Sequence, residues 1–275
     1  METLNIDGAQ IEYEVRGAGE PVLLIHLSLI ADGLAFPLFA QAEIAGRCQL
    51  IHYHRRGYPG SSLGLEPLTI SRGARDAATL LRHLGVKDAH VVGHSIGGLI
   101  ALQLAVDAPE LVGSLALLEP SLTMVPSAKA SQGQLFGPML EAYRSGNKGQ
   151  AAEIFCGNVF SPNWQAIVER AVPGGVEQAV AAMDTFVQEL APMQAWQFGL
   201  QQAALVHQPV LSVLGVARRN ALMEEGRELI HAWFPQAEDC DLPTWHGLQM
   251  EDPRGAAHAL MEFFACHAAA RLPEG

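Results

Sequence analysis

Short apolar stretches alternate with amphipathic ones along most of the chain. Residues 10–15 alternate apolar and polar positions, which is typical of a strand with one buried face. Apolar runs predict buried strands at residues 21–26, 48–53, 89–92, 114–118 and 209–214, and a further strand is predicted at 237–242. Helical periodicity lies between them, at residues 70–84, 96–106, 222–234 and 253–270. This order predicts an α/β fold with a mostly parallel sheet, helices on both faces and an antiparallel edge at residues 3–15.

The alternation breaks between residues 119 and 208. Helical patterns occur there at residues 134–144, 149–155, 164–171 and 176–190, without an apolar run typical of a strand. Gly and Pro residues punctuate the region, as at Gly137-Pro138 and Pro192. We therefore predict one core formed by residues 1–120 and 207–275, with a helical cap inserted at residues 121–206.

Composition and charge narrow the functional classes. Of 275 residues, 49% are hydrophobic and 17% are charged, so the chain can bury a large core and is not disordered. The net charge of −12 and the lack of a basic run argue against nucleic acid and anionic membranes as partners. The four cysteines have no CxxC spacing, which excludes a zinc ribbon. No signal-peptide or membrane-spanning pattern is present, so a cytoplasmic location is expected, and a homodimer stays open.

The segment Gly93-His94-Ser95-Ile96-Gly97 carries the strongest chemical signal. It has the form G-x-S-x-G, with an apolar strand before it and an apolar helix after it, which is the context of a nucleophile turn. Glycines relieve crowding within such a turn. Ser95 would stand exposed at the helix N-terminus, where the N–H of Ile96 is free to bind an oxyanion. The competing interpretation is a glycine-rich turn with an incidental serine.

Other segments extend the pattern over nearly the whole chain. The strand at 21–26 is followed by the loop YHRRGYPGSS at 53–62, which is similar to D-x-R-G-x-G-x-S although His54 replaces the aspartate. With the strand at 209–214 and the segment around His246, these motifs make the chain resemble the α/β-hydrolase fold family. The resemblance implies an eight-stranded sheet and a catalytic histidine between the last strand and the last helix. His246 stands at that position and is predicted to be the base for Ser95.

The acid of the triad is expected at an unusual place. A catalytic histidine needs a carboxylate to fix its tautomer, and the family usually supplies it after the strand at 209–214. Here the following loop, residues 215–220, contains two arginines and no acid. In one group of haloalkane dehalogenases and in the fungal zearalenone lactonases, the acid follows the earlier strand, here 114–118. Glu119 stands there and is predicted to complete the triad, with Glu224 and Glu225 as alternatives. In the competing interpretation, Glu119 is solvated or paired with an arginine.

The second oxyanion donor is expected in the loop after the strand at 21–26. The family usually has His-Gly at this point, whereas this chain has His26-Leu27-Ser28. A backbone N–H does not depend on the side chain, so Leu27 or Ser28 can donate together with Ile96. Leucine nevertheless restricts the backbone to negative φ and adds an apolar wall.

A serine nucleophile argues against the carboxylate chemistry of dehalogenases and epoxide hydrolases of this fold. We predict a serine esterase or lactonase that cleaves an apolar small molecule through an acyl-enzyme, without a metal, nucleotide or flavin cofactor. Trp196 is a candidate substrate contact because its indole N–H can anchor a polar group, although packing is the favoured interpretation of this residue. The alternatives are a carbon–carbon bond hydrolase and a small-molecule receptor of the same fold.

Overall fold

The computed structural model describes residues 1–267 and gives residues 129–132 by their backbone alone. The strands are β1 (Glu2–Ile6), β2 (Ala9–Arg16), β3 (Glu20–Ile25), β4 (Cys48–Tyr53), β5 (Ala89–His94), β6 (Val112–Leu118), β7 (Val210–Gly215) and β8 (Glu238–Leu242). The helices are α1 (Ala35–Phe39), α2 (Ala42–Ala45), α3 (Ile70–His83), α4 (Ile96–Asp107), α5 (Ala128–Arg144), α6 (Lys148–Val159), α7 (Trp164–Ala171), α8 (Gly175–Ala181), α9 (Met183–Ala195), α10 (Leu200–Ala203), α11 (Ala221–Trp233), α12 (Leu248–Glu251) and α13 (Pro253–His267). None of these helices has both the length and the apolar content needed to cross a bilayer.

The eight strands form one sheet in the order β1-β2-β4-β3-β5-β6-β7-β8. Strand β2 pairs antiparallel with β1 and β4, and the other neighbours pair in parallel. This topology confirms the predicted α/β fold, its mostly parallel eight-stranded sheet and its antiparallel edge. The predicted strands lie within two residues of the observed bounds. The last predicted helix is present as α13, and its predicted residues 268–270 lie outside the described residues.

Both faces of the sheet are covered because the parallel strands are apolar on both sides. Along β3, Leu23 and Ile25 join the core shared with α3, α4, α11 and the helices of the insertion. The intervening Val22 and Leu24 join the core on the other face, with α1, α2, α12 and α13. The period of two along the strand therefore divides one apolar run between two cores.

Between β6 and β7 the chain forms the helices α5 to α10, which we call the helical insertion. The single helix predicted at 176–190 is wrong, because α8 ends at Ala181 and α9 begins at Met183. At Ala182 between them, ψ is 0° and the backbone leaves the helical range. Helices α5 and α9 instead continue through Pro138 and Pro192. The pattern of glycines and prolines therefore indicated the helical region but not its internal boundaries.

Helix α4 packs directly on the backbone of β3 through Gly97. A Cβ atom at this position would stand 2.1 Å from the carbonyl oxygen of Ile25 and 2.9 Å from that of His26. Both contacts are with backbone atoms, which cannot move away as the end of a flexible side chain could. The glycine therefore sets how closely the helix that follows Ser95 approaches the sheet.

We expect Gly97→Ala to lower the free energy of unfolding by about 1–3 kcal/mol because it forces α4 away from β3. Gly157→Ala is the matched control, since Gly157 lies in α6 and a Cβ there has its nearest neighbours at 3.9 Å. That substitution should raise the free energy of unfolding by about 0.5–1 kcal/mol. Urea unfolding of both variants checks the prediction, and equal effects would contradict the close-packing account.

Candidate active site

Ser95 occupies the sharp turn between β5 and α4. Its backbone has φ 58° and ψ −120°, a conformation that L-residues rarely adopt. The turn is held by a hydrogen bond from the Ser95 N–H to the Leu118 carbonyl oxygen on β6, at 3.0 Å. The neighbouring Ile96 is the first residue of α4, a position whose N–H has no acceptor within the helix.

Glu119 directly follows β6 and faces the end of the sheet where Ser95 stands. Its backbone has φ 40°, and its N–H donates to the Val213 carbonyl oxygen at 3.0 Å. Its two carboxylate oxygens have separate partners. Oε1 accepts from the Gly215 N–H at 2.6 Å, and Oε2 lies 2.5 Å from His246 Nδ1. The side chain is therefore fixed between the end of β7 and the histidine.

His246 lies in the loop between β8 and α12, and its backbone is held by His94. His94 Nε2 donates to the His246 carbonyl oxygen at 2.9 Å, and His94 Nδ1 accepts from Gln249 Nε2 at 3.1 Å. Complete burial, reinforced by the charge that His246 can carry, holds the pKa of His94 well below its usual value. His94 is therefore a neutral imidazole that positions the loop of His246.

One cavity of about 340 Å³ brings together most of the predicted site residues, with Ile96 outside its lining. Ser95, Glu119 and His246 line it, as do Leu27 and Ser28 in the loop after β3. Much of its wall is apolar and comes from the helical insertion, through Leu135, Phe136, Phe155, Val159, Phe160 and Phe186. A volume of this size suits a small organic molecule.

Ser121 is a neighbour of Ser95 that the sequence reasoning missed. The two hydroxyl oxygens lie 2.9 Å apart, and the Ser121 N–H donates to the Ser95 carbonyl oxygen at 3.2 Å. In this structure the hydroxyl of Ser95 is thus hydrogen-bonded to the hydroxyl of Ser121. Its position two residues after Glu119 was the signal that could have identified it. If Glu119 lies close to the catalytic histidine, the residues that directly follow Glu119 also lie close to Ser95.

Trp196 is not among the residues that line the cavity, and its role as a substrate contact stays a prediction. Its indole N–H donates to Gln103 Oε1 at 2.8 Å, and its ring stacks on Phe198 with centroids 5.1 Å apart. The alternative acids also have other partners. Glu224 lies 3.3 Å from Arg219, and Glu225 accepts from a backbone N–H of the insertion at 2.8 Å.

Asp32, His52 and His54 form a buried cluster away from the cavity. Their possible ligand atoms lie within 4.8 Å of one another. Among residues 1–267, these three side chains are the group that is spaced closely enough to hold a metal ion. Nε2 of His52 and Nε2 of His54 are 3.1 and 3.0 Å from Asp32 Oδ1. The other oxygen, Oδ2, accepts from Gln178 of α8 at 2.7 Å, which ties the insertion to the core. Both oxygens of Asp32 therefore have partners, whereas Nδ1 of His52 is buried without one.

The charges of this cluster follow from competing effects. Burial raises the pKa of Asp32, but the hydrogen bonds from His52 and His54 outweigh it and hold that pKa well below its usual value. Burial lowers the pKa of His54, but the hydrogen bond with Asp32 and its negative charge raise it overall. Burial dominates at His52 and lowers its pKa. Asp32 and His54 thus form an ion pair beside a neutral His52.

Comparison with known proteins places these features in a family. The model of the alpha/beta hydrolase family matches residues 22–262. A relative named "Putative carbamate hydrolase RutD", from Azorhizobium caulinodans, is 41% identical over 110 residues, which is 40% of this chain and 41% of that protein. The chain spans less than half the length of the curated relatives that it matches first.

Solved structures share the fold over nearly the whole chain. A carboxylesterase structure from Nitrososphaera gargenis has a TM-score of 0.79 at 18% identity, covering 98% of this chain and 100% of that one. The enol-lactonase from Burkholderia xenovorans LB400 has a TM-score of 0.78 at 18% identity, with the same coverage. At such low identity these likenesses show a common fold.

The Asp32–His54 pair predicts a pH-dependent stability. A lowered pKa of Asp32 and a raised pKa of His54 give the full contribution between about pH 4 and about pH 6.5. It is lost as pH falls through the folded pKa of Asp32 or rises through that of His54. We expect His54→Gln to lower the free energy of unfolding by about 1–3 kcal/mol at pH 6, and by less toward pH 9.

Urea unfolding of both proteins across this range measures the difference. The control is His258→Gln, because His258 is exposed and its contact with Glu43 at 3.3 Å lies at the surface. Its effect should stay within about 0.5 kcal/mol at every pH. A His54→Gln effect that does not change with pH would contradict the ion pair.

Proposed function

This chain belongs to the alpha/beta hydrolase family, and we propose that it is a serine hydrolase that cleaves a carboxylic ester or lactone of an apolar small molecule. The observation that carries the proposal is the 2.5 Å contact of Glu119 with His246 on the cavity that Ser95 also lines. A carboxylate bound to one nitrogen of a histidine, with a serine hydroxyl in the same cavity, is the arrangement that activates a serine.

In the proposed reaction, Ser95 Oγ attacks the carbonyl carbon and His246 Nε2 takes the hydroxyl proton. Glu119 stabilises the imidazolium that forms and holds its Nδ1–H. The backbone N–H groups of Ile96 and of Leu27 or Ser28 bind the oxyanion. His246 then gives the proton to the leaving alcohol oxygen, and a water molecule releases the acyl group from Ser95. For this sequence the hydroxyl of Ser95 turns from Ser121 toward His246.

The insertion supports the proposal of an apolar substrate. Its aromatic residues Phe136, Phe155 and Phe186 form one cluster on the cavity wall, with centroids of Phe155 and Phe186 4.5 Å apart. Burial of apolar surface against such a wall contributes about 25 cal/mol per Å². We propose that the insertion acts as the cap that selects the substrate, as its sequence position suggested.

Carbamates belong to the same reaction class because their carbonyl carbon also accepts a serine nucleophile. The relative named for carbamate hydrolysis therefore makes carbamates a useful second substrate series. A carbon–carbon bond hydrolase and a small-molecule receptor of this fold remain the alternatives, and the labelling experiment below separates the receptor from the proposal.

The first experiment measures labelling of Ser95 by a fluorophosphonate, followed by intact mass. We expect rapid labelling of the wild-type protein, none in Ser95→Ala and labelling slowed about 10²–10⁴-fold in Glu119→Gln, because the amide cannot hold His246 in its reactive tautomer. Hydrolysis of p-nitrophenyl butyrate should fall in parallel.

Glu224→Gln is the matched control, since it makes the same change of acid to amide at an alternative acid. It should label at the wild-type rate. Equal rates for Glu119→Gln and the wild type would contradict the role of Glu119, and slow labelling of Glu224→Gln would move the acid to α11. Tight ligand binding by a wild-type protein that does not label would favour the receptor.

The cavity wall predicts a preference for longer acyl chains. Phe155→Ala removes an aromatic wall, so we expect KM for p-nitrophenyl octanoate to rise about tenfold while KM for the acetate changes little. Trp196→Phe is the control because Trp196 lies outside the cavity lining. The prediction fails if Trp196→Phe raises KM as much as Phe155→Ala does.

A further inference from the structure

The loop at residues 27–29, which we call the oxyanion loop, is bonded to a carboxylate of the helical insertion. Ser28 Oγ donates to Glu189 Oε2 at 2.7 Å. Glu189 lies on α9, 161 positions further along the chain, and has 3% of its surface exposed. A buried carboxylate that reaches out of its own helix must be satisfied by the groups that it meets.

Arg55 and Tyr58 complete the bonds around Glu189. Arg55 Nη1 forms a buried ion pair with Glu189 Oε1, and the Tyr58 hydroxyl donates to Glu189 Oε2 at 2.9 Å. Both residues also bind the oxyanion loop. Arg55 Nη2 donates to the Leu27 carbonyl oxygen at 3.3 Å, and the Leu29 N–H donates to the Tyr58 hydroxyl at 3.3 Å. Every residue of the loop is thus held directly or through one intermediate by Glu189.

The loop needs such support because its backbone is strained. Leu29 has φ 72°, in the left-handed region that a leucine rarely adopts. The strain lies next to the two residues expected to offer an N–H to the oxyanion. A strained backbone persists only when surrounding contacts determine it, and several of those contacts lead to the side chain of Glu189.

The charges agree with this geometry. Burial lowers the pKa of Arg55, but the negative charge of Glu189 outweighs it and raises that pKa overall. Burial, reinforced by Glu189, raises the pKa of Tyr58, so its hydroxyl keeps its proton and serves as a donor. Thr185, one turn earlier on α9, donates to the Gly57 carbonyl oxygen at 2.7 Å. This bond docks α9 on the loop that carries Arg55 and Tyr58.

We infer that Glu189 is a positioning residue for the oxyanion hole, so that the insertion governs the chemical step as well as the choice of substrate. The inference rests on the proposed function. Glu189 does not touch the substrate; it holds Ser28, Arg55 and Tyr58 so that the N–H groups of the oxyanion loop face the oxygen of the tetrahedral intermediate. The N–H donors act mainly on the transition state, and their misplacement lowers kcat more than it raises KM.

The test uses the full-length variants Glu189→Gln, Ser28→Ala and the double variant with p-nitrophenyl butyrate. We expect Glu189→Gln to lower kcat about tenfold or more, with KM changed by no more than about twofold. An aryl trifluoromethyl ketone, whose carbonyl carbon bonds to Ser95 Oγ and whose oxygen becomes an oxyanion, should lose affinity by the same factor as kcat/KM. Ser28→Ala should act in the same direction, and the double variant should lose less than the product of the two single losses.

Asp184→Asn is the matched control. Asp184 is on the same helix, contacts the exposed Lys148 and Tyr143, and undergoes the same change of acid to amide. It should leave kcat and the ketone affinity unchanged. Circular dichroism reports folding, and Ser28→Ala carries the test if Glu189→Gln does not fold.

Three results would overturn the inference. Folded variants with wild-type kcat and ketone affinity would show that the contacts of Glu189 are structural, and losses confined to KM would place it in substrate binding. A wild-type protein that neither hydrolyses esters nor labels at Ser95 overturns the proposed function together with this inference. An active wild type with unchanged variants overturns this inference alone.

Discussion

The rest of the site depends on the carboxylate of Glu119, which spans three strand ends. One oxygen accepts from Gly215 at the end of β7, and the other meets His246 beyond β8. The residue itself directly follows β6, which lies beside the strand that ends at the turn of Ser95. Without the hydrogen bond at Gly215, the carboxylate would have no fixed direction in which to hold an imidazole. Because β6, β7 and β8 are neighbours in the sheet, an acid that follows β6 can reach a histidine that follows β8.

Two buried polar networks join the helical insertion to the core. One runs from Glu189 to the oxyanion loop, and the other runs from Gln178 to Asp32. Buried charges cost desolvation energy that pairing offsets only when the geometry is good. Such networks add little net stability, but a misplaced helix would leave the charges unpaired at a cost of several kcal/mol. They therefore define one docking position for α8 and α9 more strictly than apolar packing alone would.

The sequence was sufficient for the sheet and for placing Ser95 and Glu119 at its edge, because both residues directly follow apolar strands. It did not reveal Glu189 or Ser121 as neighbours of the site, since each contact joins elements whose approach is set by packing. The helical pattern at 176–190 did not reveal the break at Ala182, because alanine is a strong helix former and gives no signal for the end of a helix.

The contact between His246 and Glu119 can be observed without a substrate. In proton NMR, an Nδ1–H held this closely by a carboxylate gives a strongly downfield resonance. We expect such a resonance in the wild-type protein, its loss in Glu119→Gln and in His246→Gln, and its persistence in Glu224→Gln. A resonance that survives in Glu119→Gln would contradict the claim that Glu119 orients the catalytic histidine.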